Sequence, residues 1–216
     1  MASTAQKVSS GRRTAAKETR RQQLIKATIK SVAKRGFADT TMADVTREAG
    51  LSLGIVNLHF QSKDNLFEET LRYLSDEYES LYTSAAENAG PDPADKLCAM
   101  VELDFSTKVS DRRKLAVWFA FWGAAKTRPT YLQICAENDR RYGEIVASLF
   151  QQIINEDGYD GLDAESLAIG LAAIVNGLWL DLLMTPEELS RDQARAICYG
   201  YLASIFPDRF SLPEAD

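Results

Sequence analysis

Apolar side chains recur at three- and four-residue spacing along almost the whole of this 216-residue chain, and no Val, Ile or Thr alternation bounded by turn residues interrupts them. A period near 3.6 gives a helix one continuous stripe to bury, whereas in a strand the same pattern would point to both faces. The chain is therefore read as all-α, with nine helices. From Lys17 to Arg35, the positions Leu24, Ile25, Thr28, Ile29 and Val32 form one stripe, and Gly36 suits the left-handed turn that ends it. Thr41 stands three residues before Asp44 as a capping-box start, the segment Met42 to Ala49 ends at Gly50, and Ser52 opens a second short helix through Leu58. Ser62 begins a long helix whose stripe, Leu66, Phe67, Thr70, Leu71, Leu74, Tyr78, Leu81 and Tyr82, runs to about Asn88. Proline at 91 and 93 stops it. Further helices are expected at 93–107, 111–125, 129–155, 163–184 and 190–205, divided by Pro129, Gly158, Gly161 and Pro186.

Composition narrows the function classes. With 45% apolar and 26% charged residues the chain belongs with soluble globular proteins. Cys98, Cys135 and Cys198 lie far apart, with no C-x-x-C pair and a single histidine in the chain, which speaks against a zinc site and suits the reducing cytosol. Met1 to Gly11 is short and polar, and no apolar stretch follows it, so a cytoplasmic protein without a membrane anchor is expected. Ser166 to Leu180 is uncharged, but it holds Asn176 and meets Asp181 before the ~20 residues that span a bilayer; it is read as a buried helix. A small helical enzyme is poorly served: there is one His, no phosphate-binding glycine loop after a strand, no nucleophile elbow, and the chain calls for no cofactor or metal.

Charge is divided unevenly. Residues 1–75 carry a net +6 and residues 76–216 a net −12. A basic head on an acidic body is the pattern of a chain that touches phosphate at one end only, although basic arms are also often just solvated. Within the basic third, the two short helices joined at Gly50 have the proportions of a helix-turn-helix, whose second helix enters the major groove of double-stranded DNA. Three regions are expected: a flexible basic arm at 1–17, a helix-turn-helix domain at 18–64 with the motif at about 41–60, and a ligand-binding and dimerisation domain at 65–216.

The run Thr40-Thr41-Met42-Ala43-Asp44-Val45, the turn Ala49-Gly50-Leu51-Ser52-Leu53-Gly54 and the entry His59-Phe60-Gln61-Ser62-Lys63-Asp64-Asn65-Leu66 together resemble the N-terminal domain of TetR-type transcriptional repressors. The match covers about residues 18–70. It departs at Asn57, where many members carry Tyr. On physical grounds Thr41, at a helix N-terminus, and Lys63 are suited to phosphate. Ser52, Leu53, Ile55 and Asn57 form the groove-facing set, Asn reading adenine and the aliphatic groups a thymine methyl. The resemblance adds Thr40 to the DNA-binding set and favours phosphate contact for His59, whose alternative is a packing or capping role. Phe60 is assigned to the head's core. Arg12, Arg13, Lys17, Arg20 and Arg21 reach backbone or minor groove, or stay solvated.

In the acidic body Trp118, Phe121 and Trp122 fall within one helix, and Trp179 lies in another beside Asn176 and Asp181. An aromatic stripe at this spacing serves a core or a pocket. As a pocket, Trp faces with acidic neighbours hold a cation, quaternary ammonium above all. The phrases Trp118-Phe119-Ala120-Phe121-Trp122, Arg140-Arg141-Tyr142 and Gly177-Leu178-Trp179-Leu180, with Gly54-Ile55-Val56-Asn57 in the head, resemble the choline-responsive BetI branch of the same family. That resemblance implies a repressor of the glycine betaine pathway that binds choline or a related small cation. Trp118, Phe121, Trp122, Tyr142 and Trp179 are the cage candidates, Asn176 the polar group, and Glu102, Asp104 or Asp181 the counter-charge. A TetR-type repressor of an acyl thioester or lipophilic compound is the alternative, favoured by a long apolar tunnel. The last two apolar helices, with small Gly170, Ala173, Gly177 and Gly200, suit a homodimer seam, and two heads related by a two-fold axis suit a pseudo-palindromic operator.

Overall fold

The structure is a computed structural model that describes residues 2–211, with side chains from residue 16 onward. The described residues form nine helices and no strand: α1 (Ala2–Arg35), α2 (Met42–Ala49), α3 (Leu53–Phe60), α4 (Lys63–Asn88), α5 (Pro93–Asp104), α6 (Arg112–Ala125), α7 (Pro129–Asp157), α8 (Ala164–Met184) and α9 (Arg191–Ile205). They make two compact units, Met1–Tyr73 and Leu74–Asp216, so the division falls inside α4. The first unit reaches past residue 64 because Leu66, Phe67, Thr70 and Leu71 are all buried in its core with Leu24, Ile25, Val45, Val56 and Phe60.

Local chemistry explains the boundaries. Thr41 and Asp44 form a reciprocal capping box that satisfies two N–H groups at the start of α2. Gly50 closes α2 at φ +64°, a left-handed conformation that costs a side-chain-bearing residue on the order of 1 kcal/mol. Ser52 has extended backbone, so α3 begins at Leu53 and continues to Phe60, two residues past the expected end. The Ser62 hydroxyl accepts from the Asn65 N–H (3.1 Å) and caps α4. α1 begins at Ala2 rather than Lys17; residues 2–16 contain no proline and one glycine, so little in them stops a helix. The side chains of Arg12 and Arg13 lie outside the described residues.

In the second unit, α7 and α8 pack along each other and also meet α5, α6 and α9. α8 is long and apolar enough to cross a membrane by length and composition alone. In the fold it gives one face, Ala168, Leu171, Val175, Leu178, Trp179 and Leu182, to the core. It is not buried all round as its composition led us to expect: Ile169, Leu180 and Met184 are exposed on the other side. Tyr201 of α9 lies so close over Gly170 that a Cβ there would meet its hydroxyl at 2.5 Å, so glycine is what allows this contact. The Arg112 guanidinium donates to the Leu183 carbonyl (3.2 Å) and closes the C-terminal end of α8. Arg209 ties Asp92, Glu156 and Asp157 together. Burial pushes the thiols of Cys98 and Cys135 up to about 11 and that of Cys198 to about 12, so all three stay protonated and serve as packing groups.

Replacing Gly50 with Ala meets no steric neighbour and isolates the backbone term. Gly50→Ala is expected to destabilise the first unit by about 1 kcal/mol. A denaturant midpoint for that unit equal to the parent's would contradict the assignment.

Candidate functional site

In the first unit α3 divides into two faces. Val56 and Phe60 are buried, whereas Ser52, Leu53 and Asn57 are exposed and Ile55 is half-buried. Ser52 makes no side-chain capping bond, which leaves its hydroxyl unspent. Leu58 is 75% exposed, an apolar group presented outward on the same helix; the short stripe around it hid this from sequence reasoning. Thr41 is differently engaged from what its position implied. Its Oγ1 donates to Asp44 Oδ2 (2.6 Å) and accepts from the Asp44 N–H (3.2 Å), so α2 offers an anion its positive end more than a free hydroxyl. Thr40 is fully buried and donates to the Gly36 carbonyl (2.7 Å), which removes its side chain from the surface set.

The basic groups of this unit are also sorted by contact. Lys63 lies 5.1 Å over the Phe67 ring and donates to the Ala38 carbonyl (3.4 Å). Arg21 pairs with Glu69 and with Glu18 (3.5 Å) and lies over Phe60, so its charge is balanced internally. Lys17 and Arg20 are exposed. Burial, aided by Lys17 and Arg21, holds the His59 imidazole below its ordinary range, so at neutral pH it is an uncharged N–H donor rather than a cation.

The second unit holds a half-open cavity of about 760 Å³ between α4, α6, α7 and α8. Of the six ligand-site candidates, Trp118, Trp122, Tyr142, Asn176 and Trp179 line it. Phe121 does not: it is fully buried and packs edge-on against Tyr131 (5.4 Å), on another face of α6. Tyr78 joins the wall and organises it, stacked on Tyr142 at 5.9 Å and edge-on to Trp179 at 5.8 Å and Trp118 at 6.4 Å. Behind these rings sits Asp104, with no solvent exposure. Its two carboxyl oxygens accept from the hydroxyls of Tyr78 (2.6 Å) and Tyr142 (2.7 Å), and its backbone carbonyl accepts from the Trp179 indole N–H (2.9 Å).

A model of the BetI-type transcriptional repressor C-terminal domain matches residues 93–207, and one of the tetR family of bacterial regulatory proteins matches residues 24–70. The chain belongs to the TetR family. Its BetI-type body accounts for the match over more than half its length. The HTH-type transcriptional regulator BetI of Stenotrophomonas maltophilia (strain R551-3) is 32% identical over 183 residues, 85% of this chain and 91% of that one. BetI 2 of Chromohalobacter salexigens is 33% identical over 187 residues, covering 86% and 88%. Among solved structures, a transcriptional regulator from Pseudomonas aeruginosa PAO1 superimposes with a TM-score of 0.79 at 28% identity, over 90% of this chain and 95% of that one. One from Saccharomonospora viridis, solved in complex with choline, gives 0.77 at 22% identity over 84% and 94%. This BetI-type chain is thus a DNA-binding transcriptional regulator, in a family of regulators rather than enzymes.

The electrostatics of the BetI-type body centre on Asp104. Burial raises its carboxyl to about 7 against the lowering effect of the two tyrosine hydroxyls, and no basic side chain among the described residues pairs with it. None of the three counter-charge candidates lines the cavity: Asp104 lies behind the Tyr78 and Tyr142 hydroxyls, whereas Glu102 and Asp181 are exposed, and Glu102 is held by Tyr199 (2.8 Å) and Arg195 (3.3 Å). The acidic lining groups are instead Asp139, Glu144 and Glu165, of which Glu144 pairs with Arg140 (2.7 Å). Burial holds the Asp139 carboxyl above its ordinary range. The lining includes no Lys, Arg or His. Sequence reasoning missed Asn138, Asp139 and above all Tyr78, whose place in an apolar helical stripe gave only one signal, a hydroxyl amid aliphatic neighbours.

A carboxyl raised from 3.8 in the unfolded chain to about 7 in the fold binds its proton more tightly when folded. Its contribution is complete below about pH 4 and is lost as pH rises through 7, a difference on the order of a few kcal/mol. Asp104→Asn, neutral at every pH, should therefore show a flatter stability profile than the parent between about pH 4 and 7. Parallel urea-midpoint profiles for the two proteins would sink this account.

Proposed function

We propose that this regulator is a homodimeric repressor whose hold on a pseudo-palindromic operator is controlled by choline or a closely related quaternary ammonium of the glycine betaine pathway. The observation that carries this reading is Asp104: a fully buried carboxyl, without a basic partner among the described residues, behind a wall of Tyr78, Trp118, Tyr142 and Trp179. A buried charge needs compensation, and a desolvated quaternary ammonium over aromatic faces supplies it without needing hydrogen bonds. The choline complex of the similar Saccharomonospora viridis protein supports the same ligand class. An acyl thioester with phosphate groups is disfavoured because no described lining residue is cationic, whereas the apolar stretch along α7 and α8 keeps a lipophilic effector as the second reading.

On the DNA side, Ser52, Leu53, Ile55 and Asn57 read base edges, with Leu58 beside them. The N-terminus of α2 at Thr41, Lys63 and the neutral His59 contact phosphate. The stripe Ile169, Ala173, Gly177, Leu180 and Met184 recurs on one exposed side of α8 and, with Ile197 of α9, forms the two-fold seam. The protein acts in the cytoplasm. The effector works through α4, which carries Tyr78 on the cavity and Leu66 to Leu71 in the head; a 100-fold preference for the state that releases the operator supplies about 2.7 kcal/mol per site.

Titration against the DNA upstream of its own gene, at several salt concentrations and with and without choline, tests the whole reading. Salt-sensitive, sequence-selective binding that choline alters is expected. Selective binding unmoved by choline would remove the ligand assignment, and no selective binding would remove the operator. Trp118→Ala should weaken choline about 3- to 30-fold, the range of a desolvated cation–π contact, with operator affinity retained. Because a cation favours the ionised form of Asp104, choline affinity should fall up to tenfold per unit as pH drops below about 7 and level off above it. A pH-independent dissociation constant would rule Asp104 out as the counter-charge.

A further inference from the structure

The cavity is much larger than its aromatic end requires. It is a half-open groove of about 760 Å³, whereas a cation of choline's size, seven heavy atoms, occupies about 200 Å³ even at the ~30 Å³ per heavy atom of liquid water. The excess lies along the groove between α7 and α8. The lining runs on α7 from Asn138 to Gln151 and on α8 from Trp179 back to Ala164. At 1.5 Å per residue these stretches are about 20 and 22 Å long. The short segment 158–163 joins the two helices as antiparallel neighbours, and Tyr142 and Trp179 both meet Tyr78, so the stretches share one aromatic end.

Beyond that end the walls change character. Ala147 of α7 and Ala164, Ala168 and Ala172 of α8 line the groove, and any larger side chain at those positions would fill it. The far end carries Gln151 and Glu165 and no cationic group, which disfavours a ligand ending in carboxylate or phosphate. The head end has its own mark of a ligand. Asn138, 8% exposed and part of the lining, has an Oδ1 that accepts no hydrogen bond among the described residues, an acceptor that a hydroxyl on the ligand, as in choline, satisfies and a plain alkyltrimethylammonium leaves unpaired.

We propose that the effector class of this regulator extends to amphiphilic quaternary ammonium compounds, with a trimethylammonium head among Tyr78, Trp118, Tyr142 and Trp179 and an uncharged tail of about eight carbons along the alanine-lined groove. The inference rests on the reading of the aromatic end as a cation site. It goes beyond choline by assigning the rest of the cavity an occupant of its own. Burying methylenes against the alanine walls then adds affinity with chain length, since each one leaves water.

All three tryptophans line the cavity, so their fluorescence reports its occupancy in the full-length protein. Titrating tetramethylammonium, butyltrimethylammonium and octyltrimethylammonium, each below its micelle concentration, should give dissociation constants that tighten two- to fourfold per added methylene. In Ala172→Leu, and independently in Ala147→Leu from the facing wall, the ratio of octyl to tetramethyl affinity should fall towards one. Equal affinity for all three cations in the parent protein overturns the tail groove while leaving the cation site intact. A chain-length gain that persists undiminished in both leucine variants also overturns it, because the tail then lies elsewhere. Binding of none of the three removes the cation site itself, an outcome distinct from the other two.

Discussion

The body of this protein is organised by one buried carboxyl. Asp104 ends α5, and from that point it draws in Tyr78 of α4, Tyr142 of α7 and Trp179 of α8 through three hydrogen bonds of 2.6–2.9 Å. The two tyrosine hydroxyls satisfy the carboxyl and the Trp179 indole satisfies the backbone carbonyl, so pairing this one residue brings three aromatic rings together. A buried polar group of this kind is stable only when fully paired. The tyrosine hydroxyls hold both carboxyl oxygens but are neutral, which leaves the acid without a compensating charge and its carboxyl near 7. The same arrangement costs the fold stability as pH rises through about 7.

The head is built on different terms. Its motif helices α2 and α3 are short, and much of the definition of this region comes from termini: the Thr41–Asp44 capping box, the left-handed Gly50, and the Ser62 cap on α4. Such devices act within a few residues and set where α2 ends and α3 begins. The core then needs only one face of each helix, Val45 and Ala49 from α2 and Val56 and Phe60 from α3. The opposite face of α3 is left outward, with Ser52, Leu53, Asn57 and Leu58 exposed. A surface of small polar and aliphatic groups, flanked by exposed Lys17 and Arg20, is suited to read base edges while charge supplies affinity.

Much of this was legible in the sequence because it depends on local rules. Helical period and terminus chemistry located α5 to α9 to within a few residues, and Thr41, Gly50 and Ser62 announced their roles by type and spacing. Where local rules competed with packing, reading failed. Thr40 and Thr41 are chemically alike neighbours, yet one is buried against Gly36 and the other lies at the surface. Phe121 and Trp122 adjoin in sequence and differ by about 100° around α6, so only one of them reaches the cavity. Composition showed that α8 is apolar nearly all round, but could not say which face enters the core and which is left open.

The sequence by itself determined the helical class, the helix-turn-helix, the polarity of charge between head and body, and the aromatic character of the candidate pocket. These follow from periodicity, capping and residue type, which act over a few residues or by simple summation. Tertiary structure alone decided that Asp104, rather than Glu102 or Asp181, stands behind the aromatic wall, that Tyr78 joins that wall, and that the cavity continues along α7 and α8. The physical reason is distance in the chain: Tyr78, Asp104, Tyr142 and Trp179 lie far apart on four helices, and nothing in a local pattern encodes which of many acids and rings will meet when those helices pack.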